Sequence, residues 1–181
     1  MLGRKKFSTP TEIVPIDNKT SELILSSIEK SRLDLTQVKL VGSAALALYG
    51  VELQIDPMKN DLSSRPGDVD FITHPEYFGQ LSARPDSNLK DSRAFSSQLI
   101  QRIDGDGLPI DIITSFDNTK HNVDKFTRAF HKNIASSPLV AGTQIRVASP
   151  DDLHKELRKN ATPYDPKTVN DLRSFENTFR K

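Results

Sequence analysis

The sequence predicts an α+β fold: a small mixed sheet, flanking helices and a helical C-terminal part, in a single domain over residues 1–181. Three observations carry this expectation. Short apolar runs bounded by Gly, Pro and Asp recur through the middle of the chain and read as strands. Apolar residues at helical spacing lie before, between and after them. Two further helices open late in the chain, at Ser149-Pro150 and Asp165-Pro166, each with an acceptor side chain ahead of a proline at the first helical position.

In order along the chain, residues 1–17, with Pro10 and Pro15, read as an extended and loosely docked segment. Asp17 or Asn18 caps a helix running to about Arg32, in which Ile24, Leu25 and Ile28 share a face. Gln37–Val41 is a short strand that turns at Gly42-Ser43 into the helix "AALALY", stopped by Gly50. Val51–Gly67, with two prolines and few periodic apolar residues, reads as a long loop. Asp68–Thr73 ("DVDFIT") is a strand ending at His74-Pro75, followed by a polar, irregular stretch to about Asp91. "SSQLIQRI" and "LPIDIITSF" flank "DGDG" (Asp104–Gly107) as a hairpin. Val123, Phe126, Thr127 and Phe130 form one face of a helix, "QIRVA" (Gln144–Ala148) is a strand, and residues 149–181 hold the C-terminal helices, the last lined by Val169, Leu172, Phe175 and Phe179.

Composition bounds the function. A chain of 181 residues can bury one well-formed core. With 25 basic and 24 acidic side chains the net charge is +1, so any attraction for phosphate must come from local clustering. The absence of cysteine removes disulfides, thiolate nucleophiles and sulfur-based zinc sites. The N-terminus lacks the apolar run of a signal peptide, and no stretch approaches the roughly 20 apolar residues of a membrane span. The expectation is a cytoplasmic protein with no membrane partner.

The chemistry lies in the acids. Side chains alternate across a strand, so Asp68 and Asp70 point to one face and can share an ion. A divalent cation cancels their repulsion; Mg²⁺, or Mn²⁺ in its place, suits oxygen ligands and leaves positions open for phosphates. Asp111 sits in a comparable apolar strand, and three carboxylates converge if that strand lies beside the first. The Gly42-Ser43 turn presents backbone N–H groups at a helix start, with the Ser43 hydroxyl as a further donor, a cradle for a phosphate tail. Cradle, metal and third carboxylate together suit in-line displacement at a nucleotide phosphorus.

The ordered set resembles the DNA polymerase β-like nucleotidyltransferase superfamily: a Gly-Ser turn opening a helix, Asp-x-Asp in a strand, then a lone Asp in a later strand. "LVGSAALALYG" followed by "RPGDVDF" is most similar to the small abortive-infection and toxin-type members. The resemblance covers Val38–Thr114 and, more loosely, Arg146–Phe175, where an Asp-Leu-led helix precedes the Lys…Asp-Leu helix "PKTVNDL". It implies a nucleotidyltransferase-type sheet, Asp68, Asp70 and Asp111 as metal-holding and catalytic residues, and Gly42, Ser43 and Arg65 in nucleotide binding. It also implies NMP transfer from an NTP to an acceptor RNA end (tRNA included) or a protein hydroxyl, and a cognate antitoxin or inhibitor as partner. Two departures stand out. Ser43 and Asp68 are separated by 24 residues, more than in compact members. Where the tail helix usually carries a lysine this chain has Leu157, flanked by Lys155 and Arg158, which leaves the triphosphate-contacting lysine open.

Each feature has a plainer explanation. Asp-x-Asp by itself is common at solvated strand ends, and Gly-Ala-rich turns often serve only close packing. Arg65 can pair with a surface acid, and the basic stripe Lys125, Arg128, His131 and Lys132 can be a solvated helix face. "DGDG" lacks the distal Glu of a Ca²⁺ loop. The four histidines are dispersed. A catalytically inactive member acting as a nucleotide- or partner-binding module is the main alternative function. A metal-dependent glycosyltransferase has no need of Gly42-Ser43 or Asp111.

Overall fold

The computed structural model describes residues 7–16, 19–53, 66–83, 89–95, 98–103, 107–115 and 137–180. The architecture is mixed α+β. In chain order the elements are β1 (Glu12–Ile13), α1 (Lys19–Lys30), β2 (Val38–Val41), α2 (Gly42–Leu48), β3 (Val69–Thr73), α3 (Pro75–Ser82), β4 (Leu89–Phe95), β5 (Gln98–Ile103), β6 (Ile110–Ser115), β7 (Leu139–Val140), α4 (Pro150–Asn160) and α5 (Pro166–Phe179).

The central sheet has five strands in the order β2-β3-β6-β5-β4, and β1 pairs with β7 in a separate two-stranded ribbon. Within the larger sheet β3 and β6 run parallel, while the other neighbours are antiparallel. Strand alternation divides it into two faces. Leu40, Phe71 and Ile112 lie in register on one face, each 0% exposed. Lys39, Val41, Asp70, Ile72, Asp111 and Ile113 occupy the other, where every charged group of β2, β3 and β6 is found. Ile24 and Ile28 of α1 join the core, as do Leu48 of α2, Leu153 of α4 and Phe175 of α5. Buried Thr73 donates to Gln37 O at 2.6 Å, and buried Thr114 donates to Thr73 O at 3.0 Å, so both hydroxyls enter the core satisfied.

The caps form at both expected positions. Ser149 Oγ accepts from Asp152 N at 3.2 Å and Asp165 Oδ1 accepts from Thr168 N at 3.1 Å, with proline following each. The N-terminal segment is pinned more firmly than expected. Phe7 N–H donates to Asp151 Oδ1 at 3.0 Å, and the Phe7 ring packs edge-on against His154, Phe175 and Phe179.

Three expectations are corrected. The stretch after His74, read as irregular, begins with α3, which buries Tyr77, Phe78 and Leu81. Pro75 there starts a helix as well as ending a strand, and His74 makes no side-chain cap that could have marked the start. Residues 89–95 form β4, the outermost strand. "QIRVA" is no strand: Arg146 bridges Leu139 while Val147 bridges Leu40. The segment changes partner after one residue, so neither ladder propagates. The helix expected over Val123–Phe130, the basic stripe Lys125, Arg128, His131 and Lys132 on its polar face, and Arg65 lie outside the described residues. No helix among the described residues is long and apolar enough to cross a membrane.

Candidate metal centre

Register assembles the site. Val41 on β2 lies opposite Asp70 on β3, Asp70 beside Asp111 on β6, and Asp111 opposite Arg102 on β5. This row crosses four strands on the face opposite Leu40, Phe71 and Ile112. Asp68, just ahead of β3, reaches the same place because it lies two residues from Asp70. One carboxylate oxygen from each of Asp68, Asp70 and Asp111 lies within 4.8 Å of the other two. An all-oxygen set of three carboxylates, without His or Cys, could hold a hard metal cation.

The electrostatics of the cluster call for positive charge. Burial, then the charges of Asp68, Asp111 and Glu156, push the Asp70 carboxyl up to about 7, with Arg102 acting in the opposite direction. The stability consequence has a definite sign. A carboxyl whose folded pKa is raised holds its proton more tightly when folded. Its contribution is fully present below the ordinary carboxylate range and is lost as pH rises through about 7. The metal-free Asp70→Asn protein is therefore expected to gain melting temperature relative to wild type between pH 5 and pH 8, and a divalent ion should close that gap. Paired thermal melts across that range check it; a constant difference would contradict it.

Gly42 stands against this cluster. It has φ +67°, and a Cβ on it would lie 2.6 Å from Asp70 Oδ2. The next residue, Ser43, faces a small open cleft between the start of α2 and the helices α4 and α5, lined also by Leu153, Glu156, Lys167 and Asp171. Lys167 Nζ is 2.8 Å from Asp171 Oδ2 and 3.4 Å from Ser43 Oγ, while Asp171 itself is buried. Glu156 keeps its side chain accessible at the rim, yet the surrounding protein raises its pKa, chiefly by desolvation and against Lys159 and Lys39. On the same sheet face as Asp70, buried Lys39 has its pKa lowered by desolvation, against the charges of Asp152 and Glu156.

The structure thus brings together Asp68, Asp70, Asp111 and Gly42, with Ser43 opening onto the adjoining cleft. Two residues were missed. Arg102 donates through Nε to Asp111 Oδ1 at 2.6 Å and through Nη2 to Asp111 Oδ2 at 2.7 Å. Its signal was present in the hairpin: pairing "QRI" with "PIDI" sets Arg102 across from Asp111. Lys167 stood in the quoted "PKTVNDL" but had no assigned place. The lysine beside Ser43 is this one, whereas Lys155 is exposed and pairs with Asp152 at 3.7 Å, and Leu157 is buried. Comparison with protein-family models, with curated proteins and with solved structures finds no match for this chain.

Proposed function

We propose that this protein is a divalent-metal-dependent nucleotidyltransferase that moves NMP from an NTP to a hydroxyl of an acceptor RNA or protein. The observation that carries the reading is the meeting of three carboxylates, from β3, the residue just ahead of it and β6, beside a Gly-Ser turn whose serine faces Lys167. In the reaction an acceptor oxygen bonds to the α-phosphorus, the bond from that phosphorus to the bridging oxygen breaks, and pyrophosphate leaves. Asp68 and Asp70 would hold the ion, which when bound supplies charge neutralisation at the phosphates. Asp111 would orient the acceptor hydroxyl and accept its proton. Ser43 Oγ, the turn N–H groups and Lys167 Nζ would bind the phosphate tail.

Lys167→Met separates the cleft's binding role from its structural one. NTP affinity is expected to fall about tenfold, and stability by about 1–3 kcal/mol, because buried Asp171 loses a charged hydrogen-bond partner. Nucleotide titration and chemical denaturation read the two effects. Unchanged NTP affinity would move the phosphates out of this cleft.

One observation favours a second reading, a nucleotide-binding module without transfer: Arg102 engages both oxygens of Asp111, the carboxylate assigned to the proton. Incubation with each labelled NTP, Mg²⁺ or Mn²⁺, and a mixture of cellular RNA and protein decides between them. Label carried into either fraction supports transfer and identifies the acceptor class. NTP binding without transfer to any acceptor supports the module.

A further inference from the structure

We infer that Arg102 is the built-in counter-ion of the aspartate cluster, holding it assembled without metal and setting the affinity of the ion that enters. The inference rests on the metal-centre reading and deepens it. Three carboxylates with oxygens within 4.8 Å repel one another strongly whenever all are ionised, and the ladder register gives Asp70 and Asp111 little freedom to separate. A guanidinium is permanently charged and forked, so it can neutralise more than one acid at once. Arg102 does so unevenly: its two contacts to Asp111 are 2.6 and 2.7 Å, whereas Nη2 reaches Asp68 Oδ2 at 3.4 Å.

That asymmetry sets the order of events. Asp111 and Arg102 are cross-strand partners on adjacent antiparallel strands, so their pair is anchored by the ladder. The contact to Asp68 is long and involves two half-exposed side chains, 31% and 34% accessible, so it yields first. Asp68 and Asp70 would hold a divalent ion once Arg102 withdraws from Asp68, and the bidentate pair would keep Asp111 oriented. Arg102 is therefore a positioning residue. Its positive charge also lowers divalent affinity, which keeps occupancy responsive to the arrival of a phosphate-bearing ligand.

The test uses the full chain and Mn²⁺ alone, titrated by calorimetry or by its electron paramagnetic resonance signal. Arg102→Gln is expected to bind Mn²⁺ about tenfold more tightly than wild type, because one positive charge beside the site is gone. Arg102→Lys, which keeps the charge, should stay near wild type. If Arg102→Gln does not fold, the wild type decides: the ¹⁵Nε resonance absent from Arg102→Lys should shift as Mg²⁺ is added. Equal or weaker Mn²⁺ binding by a folded Arg102→Gln, or an Nε resonance unmoved at Mg²⁺ saturation, overturns the inference and leaves the metal centre standing. Absence of Mn²⁺ binding by both wild type and Arg102→Gln removes the metal centre and this inference together.

Discussion

Asp70→Asn is expected to abolish divalent-ion binding and, with it, metal-dependent NTP binding and transfer. Asp111→Asn is expected to cut transfer by a factor on the order of 10²–10⁴ if this carboxylate takes the acceptor proton. The two acids differ in placement. Asp70 is the middle member of the row, flanked by Asp68 on its own chain segment and by Asp111 across the β3–β6 ladder, so its loss opens the ligand set from the centre. Asp111 stands one strand further out, gripped by Arg102. An amide there keeps one acceptor oxygen but turns an NH₂ toward a guanidinium N–H. The bidentate pair breaks and Arg102 falls back on Asp68, which should cost ion affinity about tenfold or less while transfer falls far more. Nucleotide titration and single-turnover assays on both variants check the split. Wild-type transfer by Asp111→Asn would remove it from the chemistry.

Gly42→Ala should have the second large effect, and the structure changes its explanation. From sequence, Gly42 served close approach of the backbone to phosphates. In the fold its missing side chain also makes room for Asp70: a Cβ would stand 2.6 Å from Oδ2, far inside van der Waals contact. The left-handed φ of +67° adds about 1–2 kcal/mol of backbone cost for any other residue. The Asp70 carboxylate must rotate away, and displacement of a ligand by the better part of an ångström should weaken Mn²⁺ binding in the absence of nucleotide by a factor on the order of 10–100. Ser43→Ala is the companion: it removes one hydroxyl donor and should cost about 0.5–1.5 kcal/mol of NTP binding with no change in Mn²⁺ affinity. Gly42→Ala protein that binds Mn²⁺ normally but loses NTP would return the glycine to the phosphate cradle.

Local chemistry made much of this protein legible in advance. The period of two in "DVDFIT" anticipated that Asp68 and Asp70 meet, and their carboxylates do so although β3 begins only at Val69. Ser149 and Asp165 announced their helices because a cap is satisfied within three residues. The "DGDG" signal identified the β5–β6 hairpin for the same reason. Tertiary structure decided which strands are neighbours. Nothing in the local pattern of β3 or β6 says that they pair in parallel, yet that pairing sets Asp70 beside Asp111 and creates the cluster. The hairpin register then fixes Arg102 onto Asp111, a consequence visible only once the third strand is in place. Lys167 reaches Ser43 across a sequence separation of 124 residues, through the packing of α5 on the core by Phe175. An ionised side chain declares its charge in the sequence, but its partner depends on distances that the fold alone sets.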